Sequence, residues 1–151
     1  MKTFPIITTL LSVPAFGTVL PRIESDEGRF FVHNLTAGCV PHSVSCSIEF
    51  IAVTGPTTTP AKCTFWGPGP DRLPQIPLTP CSDLNTSFSF EHKHGFYPLT
   101  IVSALSLGKN RTGTYYVPES EIVIDDHGSV KTERYEGPSD FTVSDVTTVQ
   151  V

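Results

Sequence analysis

Three features of the chain predict an all-β fold, a single compact antiparallel β-barrel or β-sandwich with two disulfides. Apolar and polar residues alternate with period two over many short runs, which gives each strand one buried face. Gly, Pro, Asn and Asp clusters separate those runs, as local turns between antiparallel neighbours require and the crossover helices of a parallel sheet do not. Helical periodicity is nearly absent, and four cysteines are available as staples.

The strands are expected in this order. Phe30 to Leu35 opens the domain, and Ser47-Ile48-Glu49-Phe50-Ile51-Ala52-Val53 follows with strict alternation. Thr64 to Trp66 is a short aromatic run before a proline-rich stretch, and Ser87-Phe88-Ser89-Phe90-Glu91 alternates again. Leu99 to Leu107, Thr114 to Val117, Glu121 to Ile124, Val130 to Tyr135 and Phe141 to Val151 bring the total to about nine strands. Asp125-Asp126-His127-Gly128 predicts a tight hairpin with Gly128 at a positive φ. Gly108-Lys109-Asn110-Arg111-Thr112-Gly113 predicts another turn.

The chain opens on Lys2, an apolar run from Phe4 to Val13 and the small-residue stretch Ala15-Phe16-Gly17, the pattern of a secretory signal peptide over residues 1–17. The run is too short, and too interrupted by Pro5, Thr8 and Thr9, to span a bilayer. Residues 18–28 are charged and expected to be loose, and residues 29–151 form one β domain, since a chain of this length has room for a single core. The expected localisation is secreted and extracellular. Asn34-Leu35-Thr36, Asn85-Thr86-Ser87 and Asn110-Arg111-Thr112 are glycosylation acceptors consistent with that route.

A net charge of -5 with scattered basic residues argues against nucleic acid or an anionic membrane as partner, because both need clustered Lys and Arg. In an oxidising compartment the even set Cys39, Cys46, Cys63 and Cys81 implies two disulfides. No close cysteine pair of the kind that holds structural zinc occurs. Of three possible connectivities, Cys39 with Cys46 and Cys63 with Cys81 is preferred, because each pair then brackets a connection between neighbouring strands. The second would close a segment rich in proline, from Pro68 to Pro80.

Catalytic signatures are weak. His92-Lys93-His94 places two rings on one face, as a metal site on a sheet would need. The third ligand is missing, so a solvated strand end or turn is the better reading and no metal is expected. His33, His42 and His127 are isolated, and no G-x-S-x-G elbow occurs. Glu119, Glu121, Asp125 and Asp126 could serve as paired carboxylates but read as hydrated surface. Neither an enzymatic role nor a cofactor is expected. Phe65 and Trp66, beside the stiff Gly67-Pro68-Gly69-Pro70 loop, and Tyr97 within Phe96-Tyr97-Pro98 are candidate contact residues, since rigid aromatics make good interface anchors. A lone tryptophan at a strand end is more commonly core, and strand parity decides which.

Cys63, Cys81, Phe88-Ser89-Phe90, Gly95 and Leu99-Thr100-Ile101, followed by Gly137-Pro138-Ser139-Asp140-Phe141-Thr142-Val143, form a pattern that resembles the fungal Alternaria major-allergen family, which includes elicitors of the plant hypersensitive response. The family usually carries a disulfide around the last segment. This chain has Val143 at the matching position and instead carries Cys39 and Cys46 near its start, as a divergent branch with a relocated bridge would. The resemblance implies a compact β-barrel or sandwich and a secreted effector or allergen that contacts host proteins without a shared catalytic reaction. A noncovalent homodimer stays open. The alternative expectation is a carrier whose barrel interior admits a small apolar ligand.

Overall fold

The computed structural model describes residues 28–69, 72–105 and 108–150. The expected signal peptide and all but the last residue of the 18–28 segment lie outside the described residues. Among the described residues no helix is long and apolar enough to cross a membrane.

Eleven strands are described, β1 (Phe30–Cys39), β2 (Ser45–Val53), β3 (Ala61–Pro68), β4 (Ile76–Pro80), β5 (Thr86–Phe90), β6 (Phe96–Ala104), β7 (Lys109–Pro118), β8 (Ile122–Asp126), β9 (Lys131–Tyr135), β10 (Phe141–Val143) and β11 (Val146–Gln150). A 3₁₀ turn, Glu119–Glu121, joins β7 to β8. They form two antiparallel sheets, one ordered β3-β2-β1-β9-β8 with β10 also on β1, the other β11-β7-β6-β5-β4. The sheets do not close on each other, so the architecture is a sandwich and not a barrel.

The period-two pattern sets what lies between the sheets. Phe30 and Val32 of β1, Ile48 and Phe50 of β2, Phe88 of β5, Leu99 and Ile101 of β6 and Val117 of β7 are fully or almost fully buried. Phe50 and Phe88 meet edge to face across the interface, 5.2 Å between centroids. Burial of a side chain of this size stabilises the fold by about 1.5–3 kcal/mol. In β1 an extra residue at Asn34, with φ 57°, makes a bulge between His33 and Thr36. Asn tolerates that left-handed conformation, and the bulge keeps Leu35 and Ala37 buried.

Three elements differ from the sequence-based expectation. The turn expected over Gly108 to Gly113 is strand from Lys109 onward, because Asn110 to Gly113 pair with Ala104 to Ile101 on one side and Val149 to Val146 on the other. Only Gly108, with φ 72°, belongs to the turn. Gly113 is required by packing, since a Cβ there would lie 3.0–3.1 Å from Val143, Val146 and Phe30. Strand β4 contains Pro77 and Pro80, which weigh against a strand in sequence, yet it is the sheet edge, where a missing N–H costs little. The single strand expected from Phe141 to Val151 divides into β10 and β11, and the chain changes sheets between them.

Both preferred disulfides form, Cys39–Cys46 and Cys63–Cys81. Cys39 and Cys46 are direct cross-strand partners. Cys63 lies on β3 of one sheet and Cys81 just beyond β4 of the other, so that bridge ties the two layers. Beside it Lys62 N donates to Ser82 Oγ at 2.8 Å and Ser82 N donates to Lys62 O at 2.7 Å. The two disulfides are those of a chain that folds in an oxidising, extracellular-type environment.

Candidate functional site

Alternation along β3 decides which of its aromatics meets solvent. Cys63 is buried, so Phe65, two residues on, also faces inward, where it packs on the core. Trp66, the next residue along, faces outward opposite Ser47 and is 69% exposed. At the same end of the sheet, the β1–β2 turn presents Val40 and Val44, the latter 65% exposed. Cys39–Cys46 closes that turn, and Gly69 N donates to Val44 O at 2.7 Å, fixing the turn to the chain that leaves β3.

The structure therefore corrects two candidate contact residues. Phe65 is half-buried against the core, and Tyr97 is only 3% exposed. The Tyr97 ring stacks on Phe90 and His92, with centroids 5.7 and 4.6 Å away. Burial, and secondarily the Glu133 carboxylate, raises the pKa of its hydroxyl.

The acceptor asparagines occupy three different settings. Asn34 is on the exposed β1 bulge and Asn85 is exposed in the β4–β5 turn. Asn110 is half-buried within β7 between Ala104 and Val149.

His92 and His94 are exposed and border a shallow depression with Lys93 and Phe96. Among the described residues no three His, Cys, Asp or Glu side chains come together as a metal centre would need. His33 Nδ1 is hydrogen-bonded to Asp140 Oδ1 at 2.8 Å, and Ser139 Oγ donates to Asp140 Oδ2 at 2.6 Å. Both bonds end on the carboxylate. The serine hydroxyl is thus not bonded to the imidazole, as an activated nucleophile would be.

This contact explains the Gly137-to-Phe141 segment in structural terms. A Cβ on Gly137 would overlap the Glu121 carboxylate and the Tyr135 hydroxyl. Tyr135 OH donates to Pro138 O at 2.8 Å, Leu35 N donates to Ser139 O at 2.9 Å, and Phe141 stacks on Tyr115 at 3.9 Å. Burial, and then the nearby Glu121 carboxylate, pushes the Tyr135 hydroxyl far above its ordinary pKa.

Sequence reasoning missed two polar clusters. At one end of the sandwich Arg111 of β7 donates from Nη1 to Thr54 O at 2.8 Å, with its guanidinium 5.0 Å from the centre of the Phe30 ring. Ser103 Oγ donates to Thr54 Oγ1 at 3.1 Å in a buried setting, and Thr86 Oγ1 donates to Asp83 Oδ2 at 3.1 Å. At the other end Glu133, buried on β9, accepts from Leu73 N at 2.9 Å and so pins the β3–β4 crossover. Their only sequence signal is a polar residue at an inward parity position, which is visible once register is known.

No protein-family model matches this chain, and no curated protein matches it.

Proposed function

We propose that the protein is a secreted fungal effector or elicitor, a divergent member of the Alternaria major-allergen family, that binds a host plant extracellular protein without catalysing a reaction. The observation that carries this reading is Trp66, 69% exposed on an edge strand. A large ring held on a rigid strand loses little conformational entropy on binding, and tryptophan is enriched among residues that dominate interface energies. Val44 and Val40, on a turn closed by a disulfide, extend apolar surface at the same end. The two disulfides support the secreted setting, and the Cys-bracketed connection, the F-x-F strand and the G-P-x-D-F segment support the family.

The test is capture from plant apoplastic fluid by immobilised protein, with Trp66→Ala run in parallel. The expected outcome is one host protein retained by the native chain, with affinity for Trp66→Ala lower on the order of thirtyfold. The melting temperature should stay unchanged, since exposed substitutions usually cost less than about 0.5 kcal/mol. Equal retention by both forms, or none by either, sinks the proposal.

A further inference from the structure

The outer strand of a β-sheet presents unpaired N–H and C=O groups, and edges that stay free of partners usually carry a guard. Most edges of this sandwich do. Strand β4 carries Pro77 and Pro80, β8 ends on Asp125 and Asp126, and β10 is only three residues long. On β3 the Lys62 amide and carbonyl are already bonded to Ser82, and Pro68 closes the strand. Strand β11 differs from all of these: Val146-Thr147-Thr148-Val149-Gln150 has neither a charge nor a proline, and its register with β7 runs without a bulge. Thr147 to Gln150 are exposed.

The register fixes which backbone groups of β11 are open. Leu105 N donates to Lys109 O, so alternation along the β6–β7 pairing points Lys109, Arg111 and Gly113 at β6 and leaves Asn110 and Thr112 to bond β11. Their partners there are Val149 and Thr147. The amides and carbonyls of Val146, Thr148 and Gln150 therefore point away from β7, and among the described residues no strand pairs with them. We propose that β11 pairs antiparallel with β11 of a second copy of this chain, the two Thr148 residues astride a two-fold axis, so that one sheet runs through both molecules. In that register Thr148 exchanges both backbone bonds with its counterpart and Val146 does so with Gln150, and every outward group of the strand finds a partner. The side chains match as well. Thr148 meets Thr148 on the face turned to the core, and on the outer face Thr147 meets Val149, which is 50% exposed in the single chain. Cross-strand pairs of β-branched residues are favourable, a two-fold interface needs a self-complementary patch, and no like charges oppose each other along this one. Trp66 is on the other sheet, so the pairing is independent of the host contact proposed above.

Sedimentation of the intact oxidised chain from about 1 μM to about 1 mM, the range in which small interfaces associate, is expected to show monomer passing reversibly to dimer. Amide exchange read by NMR should slow with concentration at Val146, Thr148 and Gln150 but not at Thr147 and Val149, which are already bonded to β7. Thr148→Pro removes an N–H that β7 does not use. It should weaken association about tenfold through the lost backbone bonds and leave the melting temperature unchanged. Thr148→Glu, which sets two carboxylates against each other at the axis, serves if the proline variant does not fold. Ile124→Lys, on the β8 edge, is expected to associate as the native chain does. The proposal is overturned by a chain that stays monomeric throughout, by undiminished association of the Thr148 variants, or by loss of association in Ile124→Lys. Protection of the same amides at every concentration overturns it too, since a segment of the chain itself would then fill the edge.

Discussion

Asp125 and Asp140 are surface carboxylates held below their ordinary pKa by specific donors. For Asp125 the main cause is Arg134, whose Nε and Nη2 reach its two oxygens at 2.8 and 3.2 Å. For Asp140 it is the Ser139 hydroxyl, followed by His33. A carboxylate whose folded pKa is depressed contributes stability that is complete above the unfolded value, about 3.9, and is lost as pH falls through the folded value. Unfolding midpoints measured in urea should accordingly hold steady down to about pH 4 and then decline. In Asp125→Asn the decline should be shallower, since one linked proton is gone. An unchanged slope would show that this pair does not couple to folding.

Among the elements, the two crosslinks differ in what they constrain. Cys63–Cys81 spans 18 residues and Cys39–Cys46 spans 7. Loop-closure reasoning assigns the longer about 3 kcal/mol and the shorter about 2 kcal/mol. Replacing Cys63 and Cys81 by serine should therefore lower the denaturation free energy more than replacing Cys39 and Cys46, as guanidinium titration of the two double variants would reveal. Strands β2 and β5 were legible because their alternation is uninterrupted. The start of β7 was not, because Asn110 to Gly113 have turn composition and are strand only by virtue of neighbours on both sides. The outward placement of Trp66 was legible in principle, since an inward Cys63 fixes the parity of β3. The Asp83, Thr54 and Ser103 cluster was not legible, because two connections and the end of β6, far apart in sequence, bring it together.

At the scale of the molecule, the only tryptophan lies outside the core, with 69% of its surface in water. Its emission should already be that of a hydrated indole in the native state, accessible to a soluble quencher and nearly unchanged by denaturant. A large red shift on unfolding would contradict the orientation of β3. Circular dichroism in the aromatic region is the better probe of folding, because Phe50, Phe88 and Tyr97 are buried in the core. The outer edge of β1 is shared between β9 and β10, and His33 meets Asp140 across 107 residues of chain. Pairings so distant in sequence make folding slow. A ribosome making this chain thus emits β1 long before the strands that cover its edge exist. Asn110, likewise, is synthesised before β11, the neighbour that will pair with it through Val149. Were the chain to pass through a glycosylating compartment, that order of synthesis would leave the Asn110 acceptor unpaired on one side, so a position enclosed in the finished sheet would stay open until β11 arrives.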